Sequence, residues 1–192
     1  IAPNGKRLPS VTTVLGQLKK QHIIEWRKRV GEEKANLTAG RASRRGTALH
    51  AIIESYLKND LKLSDDEPLP SLVFKICKTA LDRISNICAL EAPLYSHYLR
   101  LAGRVDCIAE YEGVLSVIDF KPSSRIKKKE DIDTYFWQTT AYALMYEELV
   151  GNPIDQIITI MAVEDEQPLL FIERTEDHIE GLVKAIKFYQ TN

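Results

Sequence analysis

Residues 103–121 read Gly-Arg-Val-Asp-Cys-Ile-Ala-Glu-Tyr-Glu-Gly-Val-Leu-Ser-Val-Ile-Asp-Phe-Lys. Two apolar runs rich in β-branched residues, 104–111 and 114–121, flank the turn-forming pair Glu112-Gly113. Such runs favour strands, and a Gly-containing pair between them favours a tight antiparallel turn. The stretch therefore predicts a β-hairpin.

The register of this hairpin places two acids face to face. With a two-residue loop, Tyr111 pairs with Val114, and counting back puts Asp106 opposite Asp119. A symmetric four-residue loop gives the same pairing, whereas a three-residue loop turns Asp119 to the other face. Opposed Cβ atoms lie about 4.5–5.5 Å apart, and like charges there are destabilising. Lys121 shares the face of Asp119, so two acids and a lysine are expected on one patch.

The apolar character of both strands decides between two interpretations of this patch. A solvated sheet face is the better account of an isolated Asp pair. Here the strands look central, because five neighbours are apolar: Val105, Cys107, Val117, Ile118 and Phe120. Acids on buried strands need a compensating partner. Two acids with a lysine suit a divalent cation and an activated water molecule.

The order of these residues resembles a known family. An Asp, a hairpin, the triplet Asp-x-Lys and then Gln138-Thr-Thr-Ala-Tyr142 resemble the PD-(D/E)xK nuclease superfamily, in its RecB-type branch. Further blocks resemble mitochondrial genome maintenance exonucleases and their phage relatives. These blocks are Pro9-Ser10-Val11-Thr12, the helix with Trp26, and Arg45-Gly46-Thr47 followed by His50 and Glu54. The resemblance runs from about residue 8 to 150, and Pro122-Ser123 departs from it.

The resemblance implies a metal-dependent deoxyribonuclease. It implies that one or two Mg²⁺ or Mn²⁺ ions are held by His50, Asp106, Asp119 and the backbone carbonyl of Phe120. Asp106, Asp119, Lys121 and Gln138 are then the catalytic residues, with Lys121 protonated and acting through its charge. A Glu near residue 91 often lies at such sites, but Glu91 before a proline fits a surface loop equally well.

Composition limits the remaining classes. The 192 residues suit one domain, and 44 % hydrophobic with 28 % charged residues is ordinary for a globular protein. No apolar run approaches the roughly 18 residues of a membrane span, so no membrane partner is expected. Cys77, Cys88 and Cys107 cannot form a four-cysteine iron–sulfur site, and we expect buried thiols in a reducing compartment. No glycine-rich phosphate loop supports a sugar- or nucleotide-metabolising enzyme.

Source and assembly follow from the same observations. We expect an intracellular monomer, in a bacterial or phage-infected cytoplasm rather than the mitochondrial matrix. Because the chain begins at Ile1 and not at Met, we expect further residues before it.

The charge is polarised along the chain. Residues 1–50 hold eleven Lys and Arg against three acids, although the net charge of the whole chain is −1. A basic segment of this kind suits a polyanion, although a solvated basic helix is the alternative. The DNA-binding candidates are Ser10, Thr12, Trp26, Arg27, Arg41, Arg44, Arg45, Thr47, Arg104, Ser123, Lys127 and Tyr142. For Ser10, capping a helix is the competing role, and for Trp26 and Tyr142 it is packing in the core.

The expected fold is α/β, a mixed central sheet of about five strands flanked by helices, with a restriction-endonuclease-like nuclease core as the resemblance implies. One domain covers residues 1–192, and the basic helices of residues 1–58 pack over the active-site face. Helices are predicted at 17–36 (packing through Ile23, Ile24 and Val30), 41–57, 71–89, 131–149 and 176–189. Strands are predicted at 91–101, 104–111, 114–121, 154–163 and 169–173, with loops at 59–70 and 122–130.

These expectations combine into a function. We expect an exonuclease that prefers single-stranded DNA with a free end and acts in DNA replication, repair or recombination. Basic helices arching over the site would admit one strand and exclude a duplex. Two alternatives stay open: a duplex-end exonuclease for recombination, and a catalytically silent DNA-binding module on a nuclease-like fold.

Overall fold

A five-stranded mixed sheet forms the centre of the molecule. A computed structural model describes residue 5 and residues 7–60, 68–163 and 166–191, with side chains of the helix at Pro68 described from Phe74 onward. The strands, in spatial as well as chain order, are β1 Ile84–Ser96, β2 Leu101–Tyr111, β3 Val114–Ser123, β4 Gln156–Val163 and β5 Leu169–Arg174. The helices are α1 Val11–Gln17, α2 Lys20–Val30, α3 Glu32–Leu57, α4 Pro68–Leu81, α5 Asp133–Val150 and α6 Glu176–Thr191. This confirms the predicted α/β architecture.

The β2–β3 hairpin has the predicted register. Tyr111 pairs with Val114, and the ladder continues back to the pair Cys107 and Ile118. Both loop residues have positive φ, 50° at Glu112 and 82° at Gly113, as a tight hairpin turn of two residues requires. The expected two-residue loop is therefore confirmed.

The two faces of the sheet bury separate cores. On one face, Leu49 and Ile53 of α3 and Phe74 of α4 pack with Ile118 and Phe120 of β3. On the other face, Phe136 of α5 and Leu182 of α6 share a core with Val105, Ile108 and Val117 of the hairpin strands, and α1 belongs to the same core. Strand β3 runs parallel to β4, and α5 makes the crossover between them. The hairpin strands are thus covered on both faces, as their apolar sequence indicated.

The basic N-terminal region divides differently from the expectation. Predicted helices at 17–36 and 41–57 are wrong in their boundaries, because the chain breaks at Gly31 (φ 86°) and α3 then runs without interruption. Only glycine adopts such a φ readily, and here it separates two helices. The expected packing of Ile23 and Ile24 is also wrong. Their residues are 47 % and 37 % exposed, and α2 contains no buried residue.

The predicted helix at 71–89 ends early. Helix α4 stops at Leu81, and β1 begins at Ile84, which pairs with Tyr111. The apolar spacing continued past the helix because Ile84 serves the sheet instead. Pairing with β2 decided the conformation against the helical periodicity. Within the loop predicted at 59–70, residues 61–67 lie outside the described residues.

Two smaller findings complete the comparison. Cys77 and Cys107 are buried as expected, whereas Cys88 is exposed. Among the described residues, no helix is long and apolar enough to cross a membrane.

Candidate active site

Strands β2 and β3 part at the two predicted acids. Their ladder ends at Cys107 and Ile118, and the next position on each strand is Asp106 and Asp119. At this point the Phe120 N–H donates to Oδ2 of Asp106 at 2.9 Å, so a carboxylate replaces a backbone acceptor. In an extended strand the N–H and C=O of one residue face the same neighbour. The carbonyl of Phe120 therefore also faces the opening between the strands.

Asp119 lies at the centre of a buried polar cluster. Its residue is 1 % exposed, and its Oδ1 accepts hydrogen bonds from Lys121 Nζ at 2.5 Å and Gln138 Nε2 at 3.0 Å. Its Oδ2 is buried and has no hydrogen-bond partner within the described ranges. A buried carboxylate oxygen without a partner is costly, and a bound cation would satisfy it.

A second cluster joins α3 to the sheet. His50 Nδ1 lies 3.3 Å from Glu91 Oε1 and 3.5 Å from Asp106 Oδ1. One ligand atom from each of the three side chains lies within 4.8 Å of the others. The His50 ring also packs edge-on against Phe120, with ring centroids 6.5 Å apart. Residues 50, 91 and 106 thus converge at the opening of the hairpin.

Glu91 reaches this cluster through a local irregularity of β1. It has a φ of 48°, and its neighbours Leu90 and Ala92 pair with residues on either side of Asp106. Arg104 Nε donates to the Glu91 carbonyl at 2.7 Å. The sequence left Glu91 open between a site residue and a surface residue, and the structure places it at the site. Its left-handed backbone conformation is not visible in a residue pattern.

These side chains fit a divalent cation. Carboxylate oxygens with an imidazole suit Mg²⁺ or Mn²⁺, and the unpartnered Oδ2 of Asp119 gives a structural reason for one. The ligand set expected from sequence was His50, Asp106, Asp119 and the Phe120 carbonyl. The structure groups His50 and Asp106 with Glu91, and it leaves Asp119 beside them, bonded to Lys121 and Gln138. A cleft of about 430 Å³ opens here, lined by Gly46, Thr47, His50, Ala51, Glu54 and Glu91.

The charges in the site are mutually dependent. Burial raises the pKa of Asp106 well above its usual range, and the nearby charge of Asp119 raises it further, against the opposing effects of Lys121 and His50. Burial alone would lower the pKa of Lys121, but the charges of Asp119 and Asp106 outweigh it and keep that pKa raised. Lys121 therefore stays protonated at neutral pH, and the pair of acids favours a further positive charge.

Tyr142 supports the site from below and does not reach the surface. Its residue is 3 % exposed, and burial raises the pKa of its hydroxyl, which interacts with Gln138. A Cβ atom at Gly103 would lie 2.7 Å from Tyr142 Cε1, so only glycine fits beside this ring. This burial favours the packing role of Tyr142, and its direct contact with DNA stays a prediction. The buried ring has a packing role next to Gln138.

Ser123, another DNA-binding candidate, is buried as well. It is 4 % exposed, and its hydroxyl donates to the Arg125 carbonyl at 2.6 Å inside the turn after β3. The interaction closes the turn and leaves the side chain inaccessible to a DNA strand.

The other DNA-binding candidates are spread over the N-terminal helices and the two ends of the hairpin. Ser10 caps α1 by accepting from the Thr13 N–H at 3.0 Å, and its Oγ lies 3.0 Å from Thr12 Oγ1. Arg27 forms an ion pair with Glu32 and donates to Asn36 at 2.6 Å, so its guanidinium holds α2 to α3. The remaining candidates are placed as follows: Arg41, Arg44 and Thr47 exposed on α3, Arg45 and Trp26 half-buried, Arg104 at Glu91, and Lys127 at the hydroxyl of Tyr135.

Comparison with known proteins gives consistent matches. The sequence profile of the PD-(D/E)XK nuclease superfamily matches residues 69–187. Human mitochondrial genome maintenance exonuclease 1 is 33 % identical over 176 residues, which cover 84 % of this chain and 51 % of that protein. The mouse protein of the same name is 31 % identical over 129 residues, covering 62 % of this chain and 38 % of that protein. This chain thus spans about half the length of the human relative.

A candidate exonuclease from Eubacterium rectale superimposes with a TM-score of 0.49 at 12 % identity, over 75 % of this chain and 64 % of that one.

Proposed function

The chain belongs to the PD-(D/E)XK nuclease superfamily, and from this premise we propose that it is a metal-dependent exonuclease that hydrolyses phosphodiester bonds in DNA. The observation that carries the proposal is the buried Asp119 carboxylate. Lys121 and Gln138 hold one of its oxygens, and the other has no partner among the described residues. A fold retains such an oxygen at a cost, and catalysis is the reason that fits its surroundings.

The cation would be held by His50, Glu91, Asp106 and Asp119, with the Phe120 carbonyl facing the same opening. When bound, Mg²⁺ or Mn²⁺ lowers the pKa of a water molecule and neutralises charge on the phosphate. The rest of the chemistry belongs to the chain. Lys121 keeps its proton and presents a fixed positive charge where negative charge develops on the phosphate. Gln138 keeps Asp119 and Lys121 in register by donating to Oδ1 of Asp119.

The proposed substrate is single-stranded DNA with a free end. Arg44, Thr47, Ala51 and Glu54 are spaced 3, 4 and 3 residues apart and therefore share one face of α3. Three of these four residues line the cleft beside His50, and Arg44 continues the same face by one turn. A strand following this face would meet positive charge before it reached the acids. The exposed helix α2, with its basic last turn, lies next to α3 along the chain and is the proposed arch.

The same proposal includes its setting. We place the protein in the cell, as a monomer acting in replication, repair or recombination, without a need for a membrane or an iron–sulfur cluster. A duplex-end exonuclease would use the same four catalytic side chains: Asp106, Asp119, Lys121 and Gln138. The form of DNA that is cleaved, single strand or duplex end, therefore distinguishes the two activities.

A cleavage assay with matched variants tests the chemistry. End-labelled single-stranded and duplex DNA would be incubated with the wild type and with Lys121→Ala, each with Mg²⁺, with Mn²⁺ and with chelator. We expect shortening of the single strand from its ends by the wild type with either metal, and none with chelator. Ser116→Ala is the control, because Ser116 is buried on the same strand and its hydroxyl bonds Val114 and Gln156, away from the acids. DNA binding without cleavage under every metal condition would favour the silent DNA-binding module.

A further inference from the structure

Three lysines converge on one tyrosine beside the catalytic cluster. Tyr135 lies in the first turn of α5. Lys121 Nζ lies 5.4 Å from the centre of its ring, Lys127 Nζ 5.0 Å and Lys19 Nζ 5.8 Å. Lys127 also donates to the Tyr135 hydroxyl at 2.7 Å, and Lys19 donates to Thr134 Oγ1 at 3.0 Å. Lys19 lies in the turn between α1 and α2, Lys121 on β3 and Lys127 in the loop after β3.

Among the described residues, no acid forms an ion pair with Lys19 or Lys127. Within residues 7–60, 68–163 and 166–191, neither lysine forms an ion pair, whereas five other lysines do: Lys58, Lys78, Lys121, Lys129 and Lys184. The charge of Lys121 is paired with that of Asp119. Like charges gathered around one ring repel each other, although the face of the ring attracts each of them. An anion from outside the chain would relieve this repulsion.

We propose that Lys19, Lys127 and Tyr135 form a second phosphate-binding subsite, which holds a backbone phosphate of the DNA strand adjacent to the phosphate being cleaved. Tyr135 holds Lys127 through its hydroxyl and lies under Lys121 with its ring. It therefore positions the catalytic lysine as well as Lys127. Lys19 belongs to the basic N-terminal region, and its bond to Thr134 ties that region to α5. A strand would thus meet α3 on one side of the acids and this subsite on the other. The inference rests on the proposed function, because it needs a DNA strand in the site.

Salt dependence of binding provides the test. Binding of a fluorescein-labelled oligothymidine would be measured in chelator, where cleavage is prevented, between 50 and 200 mM salt. Each phosphate contact on a single strand contributes about 0.7 to the slope of log affinity against log salt. Because the subsite holds one backbone phosphate, the double variant Lys19→Gln/Lys127→Gln should lose about 0.7 from the slope. The control pair Lys75→Gln/Lys187→Gln removes the same net charge from exposed positions on α4 and α6 and should change the slope far less.

Tyrosine variants separate positioning from packing. Tyr135→Phe keeps the ring against Lys121 but removes the hydroxyl that Lys127 uses, so we expect a several-fold rise in KM with little change in kcat. Tyr135→Leu also removes the ring, so kcat should fall as well, and the Phe variant should restore it. Equal kcat for the Phe and Leu variants would contradict the positioning role of the ring.

Two outcomes would overturn the subsite. One is an equal slope for the Lys19/Lys127 pair and the control pair. The other is a loss that appears only with a 5′-phosphorylated oligonucleotide, which would assign the lysines to a terminal phosphate instead of a backbone phosphate. In either case wild-type cleavage would leave the proposed function intact. If the wild type neither binds nor cleaves single-stranded DNA, the proposed function itself fails.

Discussion

The two ends of the β2–β3 hairpin differ although they belong to the same strands. At the turn end, five residue pairs form a regular ladder, and Cys107, Ile108, Val117 and Ile118 are fully buried. At the open end, one residue further along, a carboxylate takes the place of a backbone acceptor and a buried oxygen has no partner among the described residues. Stability and chemistry are therefore separated by a single step in the register.

The regular ladder at the turn end explains how the unfavourable group of charges at the open end is held in place. Burial removes water from the charges of the two acids and the lysine, and the two acids repel each other. Both effects lower the stability of the fold. Strand β3 pairs with β2 on one side and with β4 on the other, and this pairing holds Asp119 in place. Substitutions at the open end should change activity, and substitutions at the turn end should change stability.

The largest expected effect is on catalysis at the open end. Asp119→Asn and Lys121→Ala should each lower the cleavage rate by ~10²–10³, because each removes a preorganised charge. The free energy of unfolding should stay near the wild-type value or rise for Asp119→Asn, which removes one of two repelling acids, and should fall for Lys121→Ala, which leaves the buried acids without their cation. Single-turnover cleavage and urea unfolding of the same preparations measure both quantities. Wild-type cleavage by Lys121→Ala would remove this lysine from the chemistry.

The next effect concerns pH and the metal-free protein. Because burial raises the pKa of Asp106 to about 7, the folded state binds its proton more tightly than the unfolded state, whose pKa stays near 4. The free energy of unfolding should therefore fall by a few kcal/mol as pH rises from about 4 to 7, because each unit of pKa difference contributes about 1.4 kcal/mol. Asp106→Asn should remove this part of the pH dependence. The free energies of unfolding of wild type and variant, measured in chelator at each pH, give this contribution as their difference. The same pH dependence in both proteins would contradict the prediction.

A smaller effect is expected at the turn. Gly113 has a φ of 82°, and Gly113→Ala should lower the free energy of unfolding by about 1–2 kcal/mol, because a side chain is strained there. The cleavage rate of the folded protein should not change. Gly16→Ala is the matched control, since Gly16 lies in α1 with open space around it. That variant should raise stability by about 0.5–1 kcal/mol. If both variants shift stability equally, the turn does not have the proposed importance.

The smallest expected effect is on metal affinity. His50→Ala should weaken Mn²⁺ binding roughly tenfold, because it removes one ligand and leaves the carboxylates. The rise in unfolding temperature on adding Mn²⁺ reports this affinity. Glu91→Gln should weaken binding in the same way if Glu91 is a ligand. His22→Ala, on the exposed helix α2, serves as the control for loss of a histidine. An unchanged Mn²⁺ response in both site variants would exclude this cluster as the metal site.

The sequence predicted the hairpin well because its signals are local. Alternation along the strands and the two-residue turn set the register, and this register predicts Asp106 opposite Asp119, one position beyond the last observed pair, Cys107 and Ile118. Gln138 was identified only through a family resemblance, since nothing in a helical pattern shows that it reaches Asp119. The break at Gly31 was missed because helical periodicity continues on both sides of it.

The remaining parts of the site depend on contacts between distant segments. Glu91 enters the site through a left-handed backbone conformation that its sequence context does not indicate. Ser123 and Tyr142 looked like surface contacts by their position in a motif, but tertiary packing buries both. Lys19 and Tyr135 are 116 positions apart in the chain and meet only because α1 packs against α5. Such juxtapositions have no periodic signature in the sequence.

The central claim, that a free end of one DNA strand enters this site, is tested most directly with circular DNA. Wild-type protein with Mn²⁺ would receive a single-stranded oligonucleotide in linear form and the same sequence as a covalently closed circle. The account predicts that the linear form is degraded and that the circle survives until it is nicked. Cleavage of the intact circle at the rate of the linear form would contradict it and would indicate an open groove that cuts internally.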